Sequence, residues 1–89
     1  MSRISREKSD KIKENILSLL FESNPKAHFT ADIARELLRD EEFTKRLLLE
    51  LKESNLVKEV SKSSKGKDFL IRRRWQLTEP AFAAFKKLS

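Results

Sequence analysis

Cysteine and tyrosine are absent from this chain, and glycine, histidine and tryptophan occur once each. Without cysteine there is no disulfide framework, no thiolate metal cluster and no cysteine nucleophile. The single histidine, His28, has no His, Cys or carboxylate near it at metal-ligand spacing, so no metal site is expected. One glycine, Gly66, leaves no Gly-rich phosphate loop, and no serine stands in a nucleophile-elbow setting. An enzyme with so few tools is not expected, nor is a cofactor. No stretch approaches the roughly 20 apolar residues that span a bilayer. The basic N-terminal residues are not followed by an apolar run of signal length. The expectation is a soluble, intracellular, cytoplasmic protein.

What the chain has in abundance is charge. Charged residues make up 38%, equal to the hydrophobic fraction, with 20 Lys and Arg against 14 Asp and Glu, a net charge of +6. The isoelectric point near 9.8 points to a polyanionic partner, either nucleic acid or an anionic membrane. The 89 residues fit one domain over 1–89 that buries about 60–65% of the surface of its unfolded form, with residues 1–5 as a flexible basic tail. The surplus is uneven: residues 57–78 carry seven basic and two acidic residues, whereas residues 30–56 carry five basic and seven acidic.

Periodicity supplies the elements. Ile12, Ile16, Leu19 and Leu20 form an apolar stripe at helical spacing, widened by Leu17 and Phe21, and predict a helix over about 6–22 that Ser23-Asn24-Pro25 stops. Ala27-His28-Phe29 is a short extended connector suited to a small first strand, with His28 a partly exposed loop residue. Thr30 looks like the N-cap of a second helix over about 31–38. Asp40 caps a third helix reaching about Ser54, with Glu41 and Glu42 near the positive end of its dipole, and Asn55 accepts a left-handed terminus. Ile33, Ala34 and Leu37, then Thr44, Leu48 and Leu51, are the core faces of these two helices. Glu22 with Lys26 and Glu42 with Arg46 stand at ion-pair spacing. Two strands, over about 56–61 and 69–77, flank a polar, lysine-rich segment that holds Gly66. Phe69, Ile71, Trp75 and Leu77 share one parity and face the core, while Leu70, Arg72, Arg74 and Gln76 face away. Thr78 caps a last helix over about 79–88, with Pro80 in its first turn and Phe82, Phe85 and Leu88 as an apolar stripe.

Two amphipathic helices joined at a tight corner, followed by a strand, a lysine-rich tip and a strand ending Arg74-Trp75-Gln76-Leu77-Thr78, resemble a winged helix-turn-helix. The likeness is to small bacterial and archaeal transcription regulators of the MarR and ArsR kind. It implies an α+β, mostly helical fold: a three-helix bundle with a small antiparallel β-wing and a C-terminal helix. It further implies sequence-specific binding of double-stranded DNA in the control of transcription, with the third helix in the major groove. On that helix Glu42, Phe43, Lys45, Arg46 and Leu49 would face the bases: Arg46 toward guanine, Glu42 toward cytosine, Phe43 toward a thymine methyl, and Lys45 toward phosphate. On the wing, Lys62, Lys65, Lys67, Arg72 and Arg74 would contact phosphates or the minor groove.

Three alternatives stay open on the residues alone. The acidic Asp40, Glu41 and Glu42 crowd the helix end that would approach a negatively charged groove, and with Phe43 and Leu49 they would suit a protein partner in a transcription, replication or degradation complex. The terminal helices, through Phe82, Phe85 and Leu88, would pair two copies into a homodimer. RNA or a non-B duplex would use the same helix and wing as DNA. Membrane-surface binding is not expected, because the basic residues lie on a hairpin without an exposed apolar helix face beside them.

Overall fold

The computed structural model describes residues 6–60 and 73–88. Along the chain run α1 (Arg6–Ser23), β1 (His28–Phe29), α2 (Thr30–Leu37), α3 (Glu41–Glu53), β2 (Val57–Val60), β3 (Arg74–Leu77) and α4 (Glu79–Leu88). This is the winged helix-turn-helix order expected from the sequence. The helical periodicities become one core: Ile12, Ile16 and Leu20 of α1 meet Ile33 of α2, Leu47, Leu48 and Leu51 of α3, and Val57, Trp75 and Leu77 of the sheet. Lys13 of α1 reaches Glu50 of α3 at 2.7 Å, an ion pair across the outside of the same bundle.

The sheet has the order β1-β3-β2, antiparallel throughout. Trp75 stands at its centre, opposite His28 on one side and Glu59 on the other. The indole is fully buried, as its parity with Leu77 requires, while Arg74 and Gln76 stay half-exposed on the other face. Burying an indole removes roughly 150–250 Å² from water, so the central strand is tied firmly to the helices. The expected strands reached farther toward the wing tip, but residues 61–72, with Phe69, Leu70, Ile71 and Arg72, lie outside the described residues.

Helix ends follow local chemistry. The Asp40 side chain accepts from the Phe43 backbone N–H at 3.0 Å and caps α3, and Thr78 Oγ1 accepts from the Ala81 N–H at 3.3 Å and caps α4. Both α2 and α3 close through a left-handed residue, Leu38 (φ 57°) and Asn55 (φ 65°). In each case the next N–H reaches back five residues, Arg39 to the Ala34 carbonyl and Leu56 to the Leu51 carbonyl, each at 2.9 Å. Asparagine at such a site was expected. Leucine was not, because its Cβ crowds the following carbonyl there.

Four further expectations are corrected. Thr30 is the first residue of α2 rather than its cap; Phe29 occupies the cap position and, with no side-chain acceptor, makes no capping bond, while the Thr30 hydroxyl accepts from the Trp75 indole. His28 is a half-buried strand residue rather than a loop residue. Its Nε2 lies 2.6 Å from Ser23 Oγ, whose own hydrogen is donated to the Leu19 carbonyl at 2.7 Å, so the imidazole is the donor of that pair. Finally, Arg46 lies over the Phe43 ring, 5.4 Å from its centroid, instead of pairing with Glu42. Lys26 lies beyond the end of α1 and is not one helical turn from Glu22.

Candidate nucleic-acid interface

α3 presents its outward side because its inward side is committed. Thr44, Leu47, Leu48 and Leu51 are buried at i, i+3, i+4 and i+7, which turns the remaining positions to the surface. The five residues singled out on this helix, Glu42, Phe43, Lys45, Arg46 and Leu49, line one open depression of about 430 Å³ together with Asp40. Glu42 and Arg46 are exposed, whereas Phe43, Lys45 and Leu49 are half-buried. Phe43 and Leu49 also pack against the edge of the core, so much of their apolar surface is already used. The Phe43 ring supports the Arg46 guanidinium from below. Stacking of that kind occupies the face of the guanidinium and leaves its in-plane N–H donors available.

A second, larger groove of about 750 Å³ lies between the first turn of α2, Glu41 and Lys45 of α3, and Arg73 at the entrance to β3. Lys45 lines both depressions and forms the ridge between them. Arg35, held to Asp32 at 3.2 Å, stands on the α2 side of this groove. Arg74 is half-buried and lies over the Phe29 ring, 5.7 Å from its centroid, and Phe29 also borders the groove. Of the wing residues singled out, the structure therefore places Arg74; Lys62, Lys65, Lys67 and Arg72 lie outside the described residues.

Arg73 and Arg35 were missed from sequence. Strand parity predicts that position 73 faces inward with 75 and 77, but regular pairing starts at Arg74 and parity does not extend past the strand end. The run Arg72-Arg73-Arg74 was the available signal. Arg73 is anchored through its backbone, whose carbonyl accepts from the Thr30 N–H at 3.3 Å, and through Glu59 Oε2, 3.3 Å from its Nε. Glu59 Oε1 in turn lies 3.3 Å from Lys52 Nζ in the last turn of α3.

Phe21 of α1 packs against Phe82 and Phe85 of α4, with ring centroids 5.2 and 5.7 Å apart. These aromatics are half-buried, and Leu88 alone of the expected stripe is fully exposed, at 84%. Among the described residues no helix is long and apolar enough to cross a membrane.

No protein-family model and no curated protein sequence matches the chain. Solved structures do. A mutant of ZitR from Lactococcus lactis in apo form is 27% identical, with a TM-score of 0.70 over 91% of this chain and 56% of that one. The DNA complex of MepR from S. aureus is 21% identical, with a TM-score of 0.70 over 91% of this chain and 66% of that one. The Zalpha domain of PKZ from Carassius auratus, in complex with Z-DNA, is 20% identical, with a TM-score of 0.62 over 79% of this chain and 97% of that one. The chain thus spans little more than half the length of ZitR and nearly the whole of the Zalpha domain.

Proposed function

We propose that this chain, a winged helix-turn-helix domain, binds double-stranded DNA sequence-specifically and regulates transcription in the cytoplasm. α3 enters the major groove and the basic wing lies on phosphates or in the minor groove. The observation that carries this is the gathering of Glu42, Phe43, Lys45, Arg46 and Leu49 on one open face of α3, beside a groove bordered by Arg35, Lys45 and Arg73. Arg46 presents its donor edge for a bidentate contact with guanine, Glu42 is an acceptor for cytosine, and Lys45 on the ridge is placed for a phosphate. Phe43 acts first as the platform under Arg46, with only its rim left for a thymine methyl. Lys62, Lys65, Lys67, Arg72 and Arg74 supply the sequence-independent grip. The likeness to the MepR–DNA complex and to ZitR supports the same reading.

The test separates the two kinds of contact. Replacing Lys62, Lys65 and Lys67 by Glu weakens binding to every duplex alike, whereas Arg46→Ala changes which of a set of randomised sites is preferred. If neither substitution affects duplex binding, the proposed interface is wrong. No enzymatic activity is proposed. A homodimer through Phe82, Phe85 and Leu88 would set two such faces on adjacent half-sites, and a mass equal to one chain at tens of micromolar by light scattering would remove it.

One observation favours a second reading, in which α3 docks a protein. Asp40, Glu41 and Glu42 stand together at the start of α3, and Leu38 beside them is 89% exposed. An acidic rim around an apolar side chain suits a partner with basic residues around a hydrophobic pocket.

A further inference from the structure

Glu59 is an anomaly on a surface built to meet a polyanion. It is a carboxylate at the base of the basic wing, on β2, and by charge alone it opposes a phosphate backbone. Yet both its oxygens are engaged, Oε1 with Lys52 Nζ and Oε2 with Arg73 Nε, each at 3.3 Å. The partners belong to different parts of the fold. Lys52 lies in the last turn of α3 and Arg73 immediately precedes β3, so a single side chain ties α3, the second strand and the entrance to the third. Ion pairs as solvated as these contribute little to stability, and their consequence is geometric.

We infer that Glu59 is a positioning residue that presents Arg73 to a phosphate of the duplex, in the groove between α2, α3 and the entrance to β3. This rests on the DNA-binding reading above. The Glu59 carboxylate meets the Arg73 guanidinium at Nε, and a guanidinium carries further N–H donors on its two Nη groups. The Arg73 backbone is fixed as well, its carbonyl bound to the Thr30 N–H. With one end of the side chain and the main chain both held, its outer end reaches the groove that Lys45 and Arg35 also line. A side chain ordered in advance loses less freedom on binding, which is why the carboxylate helps rather than hinders.

The sign of the effect distinguishes this role from plain electrostatics. Glu59→Gln removes a negative charge from the binding surface, so Coulomb attraction alone predicts tighter duplex binding. Loss of positioning predicts the opposite. Affinity for a short random-sequence duplex, measured by fluorescence anisotropy across a salt series, falls about 3- to 10-fold at low salt, and the log–log salt slope shrinks by about 0.9, one phosphate contact. Arg73→Lys keeps the charge but cannot be gripped on one edge while offering two donor groups on the other, and it gives the same loss. The two substitutions together lose no more than either alone. Glu59→Gln binding as tightly as wild type or tighter, with an unchanged melting temperature, overturns the inference. Should that variant unfold, Arg73→Lys at its exposed site decides, and wild-type affinity and slope there overturn it equally. A wild-type chain that binds no duplex at any salt defeats the DNA-binding reading itself, and this inference with it. Binding by wild type with both variants unaffected defeats this inference alone.

Discussion

The indole Nε1–H of Trp75 donates to the Oγ1 of Thr30 across 2.7 Å, where the indole is wholly shielded from water. The two residues lie 45 positions apart and join the central strand to the first residue of α2. That bond fixes the helix-turn-helix against the sheet. Both groups would be stranded without each other, since a buried donor or acceptor left unpaired costs about 1–3 kcal/mol.

A double-mutant cycle measures the link. Thr30→Val lowers stability by about 1–2 kcal/mol by orphaning the indole N–H. Trp75→Phe costs more, about 2–4 kcal/mol, because it adds a cavity to the lost donor. The double variant loses less than the sum in urea denaturation, and strict additivity would show that the bond contributes nothing beyond packing.

Leu38 offers a test of backbone strain. It sits at φ 57° with its side chain 89% exposed, so glycine there relieves steric cost and forfeits almost no packing. After the greater freedom of glycine in the unfolded chain is subtracted, Leu38→Gly raises stability by about 0.5 kcal/mol, which moves the melting temperature by about 2–4 °C. A lower melting temperature would mean that the exposed leucine makes a contact of its own.

Asp40 has two separable effects. Its carboxylate caps α3 through the Phe43 N–H, and its charge borders the depression on the outward face of α3. Asp40→Asn keeps the capping acceptor and leaves stability within a few tenths of a kcal/mol, whereas Asp40→Ala loses about 1 kcal/mol by thermal melting. With the charge gone and the cap kept, Asp40→Asn tightens duplex binding at low salt, and the gain fades as salt rises. Weaker binding by that variant would place the carboxylate in a direct contact.

Phe43 distinguishes base readout from protein docking. Phe43→Leu retains the apolar packing at the core edge but removes the ring beneath Arg46. The DNA reading predicts a loss of about 2- to 5-fold in preference for the selected site, the worth of an exposed cation–π contact of about 0.5–1 kcal/mol. Unchanged site preference, with loss of a protein partner captured by the wild-type chain, would favour docking.

The fold was legible because its signals are local and agree with one another. The stripe Ile12, Ile16 and Leu20, the Asp40 cap, the left-handed Asn55 and the alternation of Trp75 and Leu77 each act within a few residues, and each stands as the sequence predicts. What escaped depends on contacts distant in sequence. Thr30 has the chemistry of a cap, but a tryptophan 45 residues away claims its hydroxyl. Arg46 and Glu42 have the spacing of an ion pair, but the guanidinium lies over the ring of Phe43 instead. Arg73 belongs by parity to the core, yet it precedes the paired strand, and Glu59 decides where it goes. Of the candidate site, the outward face of α3 was readable from the helical period alone, and the groove between α2, α3 and the entrance to β3 was not, because three separate elements make it.

The most direct test is the affinity of the intact chain for a random-sequence DNA duplex as a function of salt. Four to six phosphate contacts, from α3 and the basic wing together, predict a log–log slope of about −3.6 to −5.4, with a plot that is linear and steep. A slope near zero, or no binding even in dilute buffer, would contradict the account at its root.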